Sequence, residues 1–270
     1  MTWTIGDLAV HRIDEIEFPG DTGAWLLPAA PAGIRLHSHS FAFEKDGRKI
    51  LVDTGVGNGK TRANPVWHGL ETGYLDALAA AGFAPDEVDL VLLTHLHTDH
   101  VGWNTRERDG EWVPTFPSAR YVTARAEREF WAGYAMDEPR RQMFEDSVLP
   151  VERAGLLDLV DVPADGVEIV SGVRLLPTPG HTPGHVSVEL TSSGETALIT
   201  GDAVHHPVQF ARPEIGASVD IDPAESEKTR RRLMTELADS GTLVLGTHFA
   251  PPTGGQLVSH GSGYRFVEGP

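Results

Sequence analysis

Three imidazoles and a carboxylate fall within one short segment, Thr94-His95-Leu96-His97-Thr98-Asp99-His100. Neutral imidazole nitrogens and carboxylate oxygens are the donors that borderline divalent cations accept. Side chains alternating along so short a stretch point in different directions, so it can divide its donors between two ions. The second half of the chain offers the rest. Thr178-Pro179-Gly180-His181-Thr182-Pro183-Gly184-His185 is a Pro/Gly loop presenting two histidines, Thr200-Gly201-Asp202 sets a carboxylate after an apolar run, and Gly246-Thr247-His248 does the same with an imidazole. Taken singly, each reads as a surface or hydrogen-bonded residue. With the first cluster, His185, Asp202 and His248 complete two coordination spheres around His95, His97, Asp99 and His100. Two neighbouring cations lower the pKa of a shared water and polarise a carbonyl or phosphoryl oxygen. The chemistry expected is hydrolysis, with that hydroxide as nucleophile.

Such residues need rigid supports, and the ends of apolar runs supply them. Ile50-Leu51-Val52 runs into Asp53-Thr54-Gly55, and Val88–Thr94 reads as a buried strand delivering His95. Val186–Leu190, Ala197–Thr200 and Leu243–Leu245 are further strands; Val167–Val170 and Val173–Leu176 form a hairpin around Ser171-Gly172. Helical spacing marks 72–82, Ala124–Tyr134 follows a strand at Ala119–Thr123, and another helix falls within 139–154. Asp222-Pro223 is a helix start, since Pro suits the first position and Asp can cap free amides; that helix runs to about Asp239, with Gly241 as the stop. The chemistry-bearing residues sit just past strand ends, where sites are commonly built. No long linker or repeat interrupts the pattern, so residues 1–270 read as one domain.

Composition narrows the function. Acidic residues outnumber Lys and Arg by 39 to 22, for a formal charge of −17, which argues against a nucleic-acid partner. The one basic run, Arg230-Arg231-Arg232, reads as a solvated helix face paired with Glu227 and Glu236. No segment is long and apolar enough to cross a bilayer. The start Met1-Thr2-Trp3-Thr4 lacks a secretion signal, and cysteine is absent, so a cytoplasmic enzyme without a thiolate nucleophile is expected.

The order His95-x-His97-x-Asp99-His100, His185, Asp202, His248 resembles the metallo-β-lactamase-fold hydrolases, over most of the chain from Asp53-Thr54-Gly55 to His248. The resemblance implies an α/β chain (α+β) folded as a four-layer αββα sandwich with the metals at one edge. It implies that His95, His97 and His185 hold one metal, Asp99, His100 and His248 the other, and that Asp202 bridges them. Asp202 departs from the β-lactamases that share the first cluster, and His97 from the flavodiiron branch, which has Glu there. Only 22 residues follow His248, too few for the helical domain of glutathione-thioester hydrolases. Gly201-Asp202-Ala203-Val204-His205 with Gln209-Phe210 resembles the methyl parathion hydrolase group. Quorum-quenching lactonases of this fold carry Tyr at the His205 position. The implied activity is hydrolysis of a small ester or lactone; the alternatives are a phosphotriesterase or phosphodiesterase on the same centre, or an accessory thioesterase or lactonase of secondary metabolism. Zinc is the default for the two divalent ions, with manganese, iron or cobalt as the other fits.

Asp99 and His205 are the candidate catalytic groups. His205 could donate to a developing oxyanion or protonate a leaving group; its other reading is packing or helix capping. His206 reads as structural. His181 is expected to orient His185, and Asp53 to lie beneath the metals and hold a ligand. Trp103 either lines an apolar substrate pocket or belongs to the core. His37 and His39 share one face of a strand and read as structural, while His11, His68 and His260 stand alone. The Pro/Gly/Ala-rich stretch 18–33 reads as a loop, serving either as a cover over the site or as a contact in a homodimer.

Overall fold

The protein is described by a computed structural model over residues 1–20 and 22–269. Two compact units are built from interleaved segments. Met1–Thr2, Leu8–Ile16 and Ser38–Asp161 make the first; Trp3–Asp7, Glu17–His37 and Val162–Pro270 make the second. Strand β1 (Thr2–Ile5) opens the chain and β2 (Leu8–Glu17) follows. The stretch expected as a loop contains a short helix, α1 (Thr22–Leu26), before β3 (His37–Lys45); Asp21 lies outside the described residues. Leu26 and Leu27 are buried, which is why the stretch takes regular structure, and Trp25 is exposed.

In the first unit, β2, β3, β4 (Arg48–Val52), β5 (Leu90–Leu92), β8 (Arg120–Ala124) and β9 (Leu157–Val160) lie side by side in that order. Strands β6 (Thr105–Arg108) and β7 (Glu111–Pro114) form a separate hairpin, closed by Asp109 and Gly110 at positive φ. Strands β4, β5 and β8 are parallel, with Val52 opposite Leu92 and Leu92 opposite Val122. Parallel neighbours end at one edge, so Asp53 and the segment after Leu92 leave the sheet together. Leu90, Val91 and Leu92 are all buried, as a parallel strand covered on both faces requires. Residues 37–43 of β3 are buried throughout, His37 and His39 among them.

Helix α2 (Tyr74–Ala80) lies within the expected span, and α3 (Arg125–Gly133) follows β8. The helix expected within 139–154 is three pieces: α4 (Glu138–Met143), a π-helical turn Phe144–Val148, and α5 (Leu149–Arg153). Pro150 has no amide to continue the ladder, which accounts for the interruption. No helix among the described residues is long and apolar enough to cross a membrane.

The second unit carries a seven-stranded sheet in sequence order: β10 (Val167–Val170), β11 (Val173–Pro177), β12 (Val186–Ser192), β13 (Glu195–Ile199), β14 (Leu243–Leu245), β15 (Gly254–His260) and β16 (Gly263–Glu268). Only β13 and β14 pair in parallel, with Ile199 opposite Leu245. Residues 200–202 and 246–248 therefore leave at the same edge. The loop 178–185 reaches it too, since Pro177 pairs with Val186.

After the short helix α6 (Val208–Ala211), α7 (Pro223–Leu237) begins as expected, with the Asp222 carboxylate accepting the amides of Ala224 and Glu225. Its buried residues are Ser226, Thr229, Arg230, Leu233, Met234 and Leu237, one helical stripe. This corrects the reading of the basic run. Arg231 and Arg232 pair with Glu227 and Glu236 at the surface, whereas Arg230 is fully buried because it occupies the same stripe as Leu233, Met234 and Leu237.

Candidate metal-binding clusters

In the first unit the segment from Thr94 to His100 is closed at both ends by one carboxylate. Asp53 adopts φ of 56°, a left-handed conformation that a short polar side chain tolerates. One of its oxygens accepts the Thr94 amide at 2.8 Å; the other accepts the Thr94 hydroxyl and His100 Nδ1, each at 2.8 Å. The His95 ring lies 4.1 Å from that of His100 and 4.7 Å from that of His97, and Asp99 Oδ1 is 3.8 Å from His100 Nε2. His97 and Asp99 are half-buried; His95 and His100 are enclosed.

Two further carboxylates, neither marked by sequence spacing, brace this unit: the buried Glu127 holds the segment itself, and the half-buried Glu15 holds the neighbouring loops. Glu127 on α3 accepts the Leu96 amide, between His95 and His97, at 3.0 Å and the Trp131 indole N–H at 2.7 Å. Trp131 in turn meets the His97 ring edge-on at 5.5 Å. Glu15 accepts the amides of Val56 and Gly57, the Ser38 hydroxyl and the Trp103 indole N–H at 2.7–3.0 Å. Burial pushes the Glu15 carboxyl above its usual range, and these four donors offset part of that rise. Gly102 lets the two loops meet backbone to backbone, since a Cβ there would stand 1.9 Å from the Val56 carbonyl. Trp103 is 5% exposed and stacks on Tyr74 with ring centroids 5.5 Å apart.

In the second unit three imidazoles turn Nε2 toward Asp202, itself 4% exposed. His181 and His205 approach Oδ2 at 3.3 and 3.2 Å, and His248 approaches Oδ1 at 3.1 Å. Ligand atoms of His181, Asp202 and His205 all lie within 4.8 Å of one another. The opposite ring nitrogens are also engaged: His181 Nδ1 meets Asp220 at 2.9 Å, and His248 Nδ1 donates to the His37 carbonyl at 2.7 Å. These acceptors place the proton on Nδ1 and leave the lone pair on Nε2, as Nε2 metal ligation requires. Imidazole lone pairs converging on a buried carboxylate fit a divalent cation. The donor set of each unit passes that test.

His185 behaves differently. Its Nε2 accepts the Asp202 amide at 2.8 Å and its Nδ1 meets the Thr178 hydroxyl at 2.8 Å, so it holds the backbone that carries Asp202. Within the 178–185 loop, His181 thus stands against the Asp202 carboxylate and His185 against the Asp202 amide. His205 is wholly enclosed, and burial lowers its pKa despite the opposing pull of Asp202. The backbone amides of His205 and His206 both donate to Gln209 Oε1, and His206 Nδ1 accepts the Val208 amide at the start of α6. Phe18, in the stretch expected as a loop, lies 5.6 Å from the His248 ring.

Outside both clusters, Lys60 is fully buried. It donates to the Thr105 hydroxyl at 2.8 Å and to the Asp146 carbonyl at 3.1 Å, and lies 3.7 Å above the Trp112 ring. Burial, with Arg62 nearby, brings its pKa down to about 7 against the opposing charge of Asp146.

The metallo-beta-lactamase superfamily model matches residues 33–248, a span that includes both clusters. The chain belongs to that superfamily. An N-acyl homoserine lactonase from a Bacillus species is 27% identical over 204 residues, covering 70% of this chain and 73% of that protein. The chain spans between 65% and 73% of the length of such lactonases. Among solved structures, AidC, a dizinc quorum-quenching lactonase, superposes with a TM-score of 0.82 at 20% identity, over 100% of this chain and 97% of that one. The hydrolase AbOPH of the beta-lactamase superfamily gives 0.78 at 26% identity, over 98% and 96%. The fold is that of the superfamily, as the sequence resemblance implied.

Proposed function

We propose that residues 1–270 act as one dinuclear metal-dependent hydrolase domain that opens lactones and cleaves small esters. The observation that carries this is the set of imidazoles turned by Nε2 onto Asp202, in a superfamily member with a second His/Asp cluster at His95–His100. In this reading His95, His97 and His181 hold one ion, Asp99, His100 and His248 hold the other, and Asp202 is shared. His181 replaces His185 because the His185 Nε2 lone pair is directed to the Asp202 amide. When bound, the two ions acidify a water and polarise the substrate carbonyl. Zinc is the first choice, in keeping with the dizinc relative.

The chain's own residues supply the rest. Asp53 and Glu127 fix the first cluster, and His185 fixes the backbone of Asp202. Asp99, with its side chain 12% exposed, is the carboxylate placed to carry a proton to a leaving oxygen. His205, enclosed against Asp202, orients that carboxylate and does not face substrate. The apolar surface first sought in Trp103 is assigned to Phe130, Trp131 and Tyr134 beside His97, where Tyr134 is 37% exposed.

Elemental mass spectrometry on the purified protein, with N-acyl homoserine lactone and aryl ester assays on the same sample, tests the reading. Two transition-metal ions per chain are expected, with ring opening lost on chelation and restored by metal. Absence of turnover after reconstitution with zinc, manganese, iron and cobalt in turn would refute it. Preferential turnover of a phosphotriester would move the substrate class to phosphorus.

A further inference from the structure

A fully enclosed guanidinium is costly unless its donors and charge are met. Arg230 meets part of that demand, on the loop before α7 and on the first turn of α7 itself. Its Nε donates to the Pro213 carbonyl at 3.0 Å and its Nη1 to the Ser226 hydroxyl at 2.6 Å, with Asp220 Oδ2 at 3.7 Å. The Asp220 side chain is equally enclosed. Its Oδ2 accepts the Ala217 amide at 3.0 Å, and its Oδ1 meets His181 Nδ1 at 2.9 Å. His181 Nε2 then faces Asp202. A continuous line of side chains thus runs from α7 to the shared carboxylate.

The loop carrying His181 also lies directly on α7. The Thr229 hydroxyl donates to the Pro179 carbonyl at 2.6 Å and Arg232 to the Pro177 carbonyl at 2.7 Å. A Cβ on Gly180 would stand 2.2 Å from the Ser226 nitrogen, so glycine is required at that contact. The amides of Ile221 and Asp222 donate to the carbonyls of His181 and Gly180 at 3.0 and 2.9 Å. These contacts fix the backbone at His181. They leave its ring rotation to Asp220, and the guanidinium at Asp220 belongs to Arg230.

We infer that Arg230 is a positioning residue of the metal centre, acting through Asp220 to aim the His181 imidazole. The inference rests on the reading of His181 as a ligand. It distinguishes Arg230 from its neighbours Arg231 and Arg232, whose salt bridges are at the surface.

The test is a double-mutant cycle on the full chain with Arg230→Met, Asp220→Asn and both together. Zinc affinity is read by competition with a chromophoric chelator, and the fold by circular dichroism and thermal unfolding of the metal-free proteins. Each single variant should lose zinc affinity by about 10- to 100-fold. The double variant should bind no more weakly than Asp220→Asn alone. The downfield imidazole proton resonance of the zinc-loaded protein that vanishes in Asp220→Asn should be displaced in Arg230→Met. Losses that multiply in the double variant, or an unmoved resonance, would overturn the inference. Should Arg230→Met not fold, the same cycle is run with Arg230→Lys, where the same failure of the losses to multiply is expected and multiplying losses are again fatal. Wild-type protein that binds no zinc would overturn both this inference and the hydrolase reading. Zinc-binding wild type with multiplying losses overturns this inference alone.

Discussion

Asp53 grips His100 Nδ1 at 2.8 Å while the same carboxylate holds the Thr94 amide and hydroxyl. One side chain therefore sets both the turn that carries the first cluster and the tautomer of a ring within it. Asp53→Asn separates charge from backbone, because Asn tolerates the left-handed φ that Asp53 adopts. Zinc affinity should fall by about 10- to 100-fold, and stability by about 1–3 kcal/mol as a buried donor loses its acceptor. Chelator competition and chemical denaturation measure the two effects. Unchanged zinc affinity would reduce Asp53 to a turn residue.

His181 and His185 separate cleanly by substitution. His181→Ala should lose metal together with turnover, and Asp202→Ala should do the same more severely, since a shared ligand serves both ions. His185→Ala should retain metal and instead lower the unfolding midpoint, because the Asp202 amide loses its acceptor. Metal analysis of dialysed variants decides the assignment. Full metal content in His181→Ala would restore His185 to the ligand set.

Lys60 should make stability depend on pH in the alkaline range. Its folded pKa of about 7 lies below the ordinary 10.5, so between these values the unfolded chain binds the extra proton. Stability then rises with pH across that window, by up to about 1.4 kcal/mol per pH unit from this group, and its contribution is flat below pH 7. Lys60→Met removes the slope. Denaturant midpoints at pH 7, 8, 9 and 10 for both proteins give the difference, and parallel curves would show that Lys60 is not held neutral.

Tyr134 offers the most exposed ring of the aromatic group beside His97. Tyr134→Ala should raise KM for long-chain acyl substrates roughly tenfold through lost apolar contact, and leave kcat near the wild-type value. Steady-state kinetics on a series of acyl lengths checks this. Equal effects on the shortest and longest chains would exclude an acyl-contact role.

The first cluster could be read from the chain because its donors are neighbours in sequence and follow a buried strand. The start of α7 was equally plain, since Asp222 and Pro223 act within one turn. The placement of His181 and His185 was not, because Asp220 and the Asp202 amide hold the two rings, and both lie beyond their own loop. Glu15 and Glu127 escaped for the same reason: their partners at Trp103 and Leu96 are 88 and 31 residues away. Arg230 did carry a local signal, its helical spacing with Leu233 and Leu237, but the flanking arginines masked it. The β6–β7 hairpin carries a local signal too, the Asp109-Gly110 pair at its turn.

His248 takes its ring orientation from the carbonyl of His37, 211 residues earlier. That acceptor leaves the ribosome long before the imidazole it will steer. A growing chain can contain the whole His95–His100 cluster while the steered imidazole has yet to be synthesised. Under the proposed assignment, metal capture that needs an oriented His248 must wait until both members of this distant pair have been made. The entropic cost of closing so long a loop grows only slowly with its length, so the delay is a matter of timing more than of final stability.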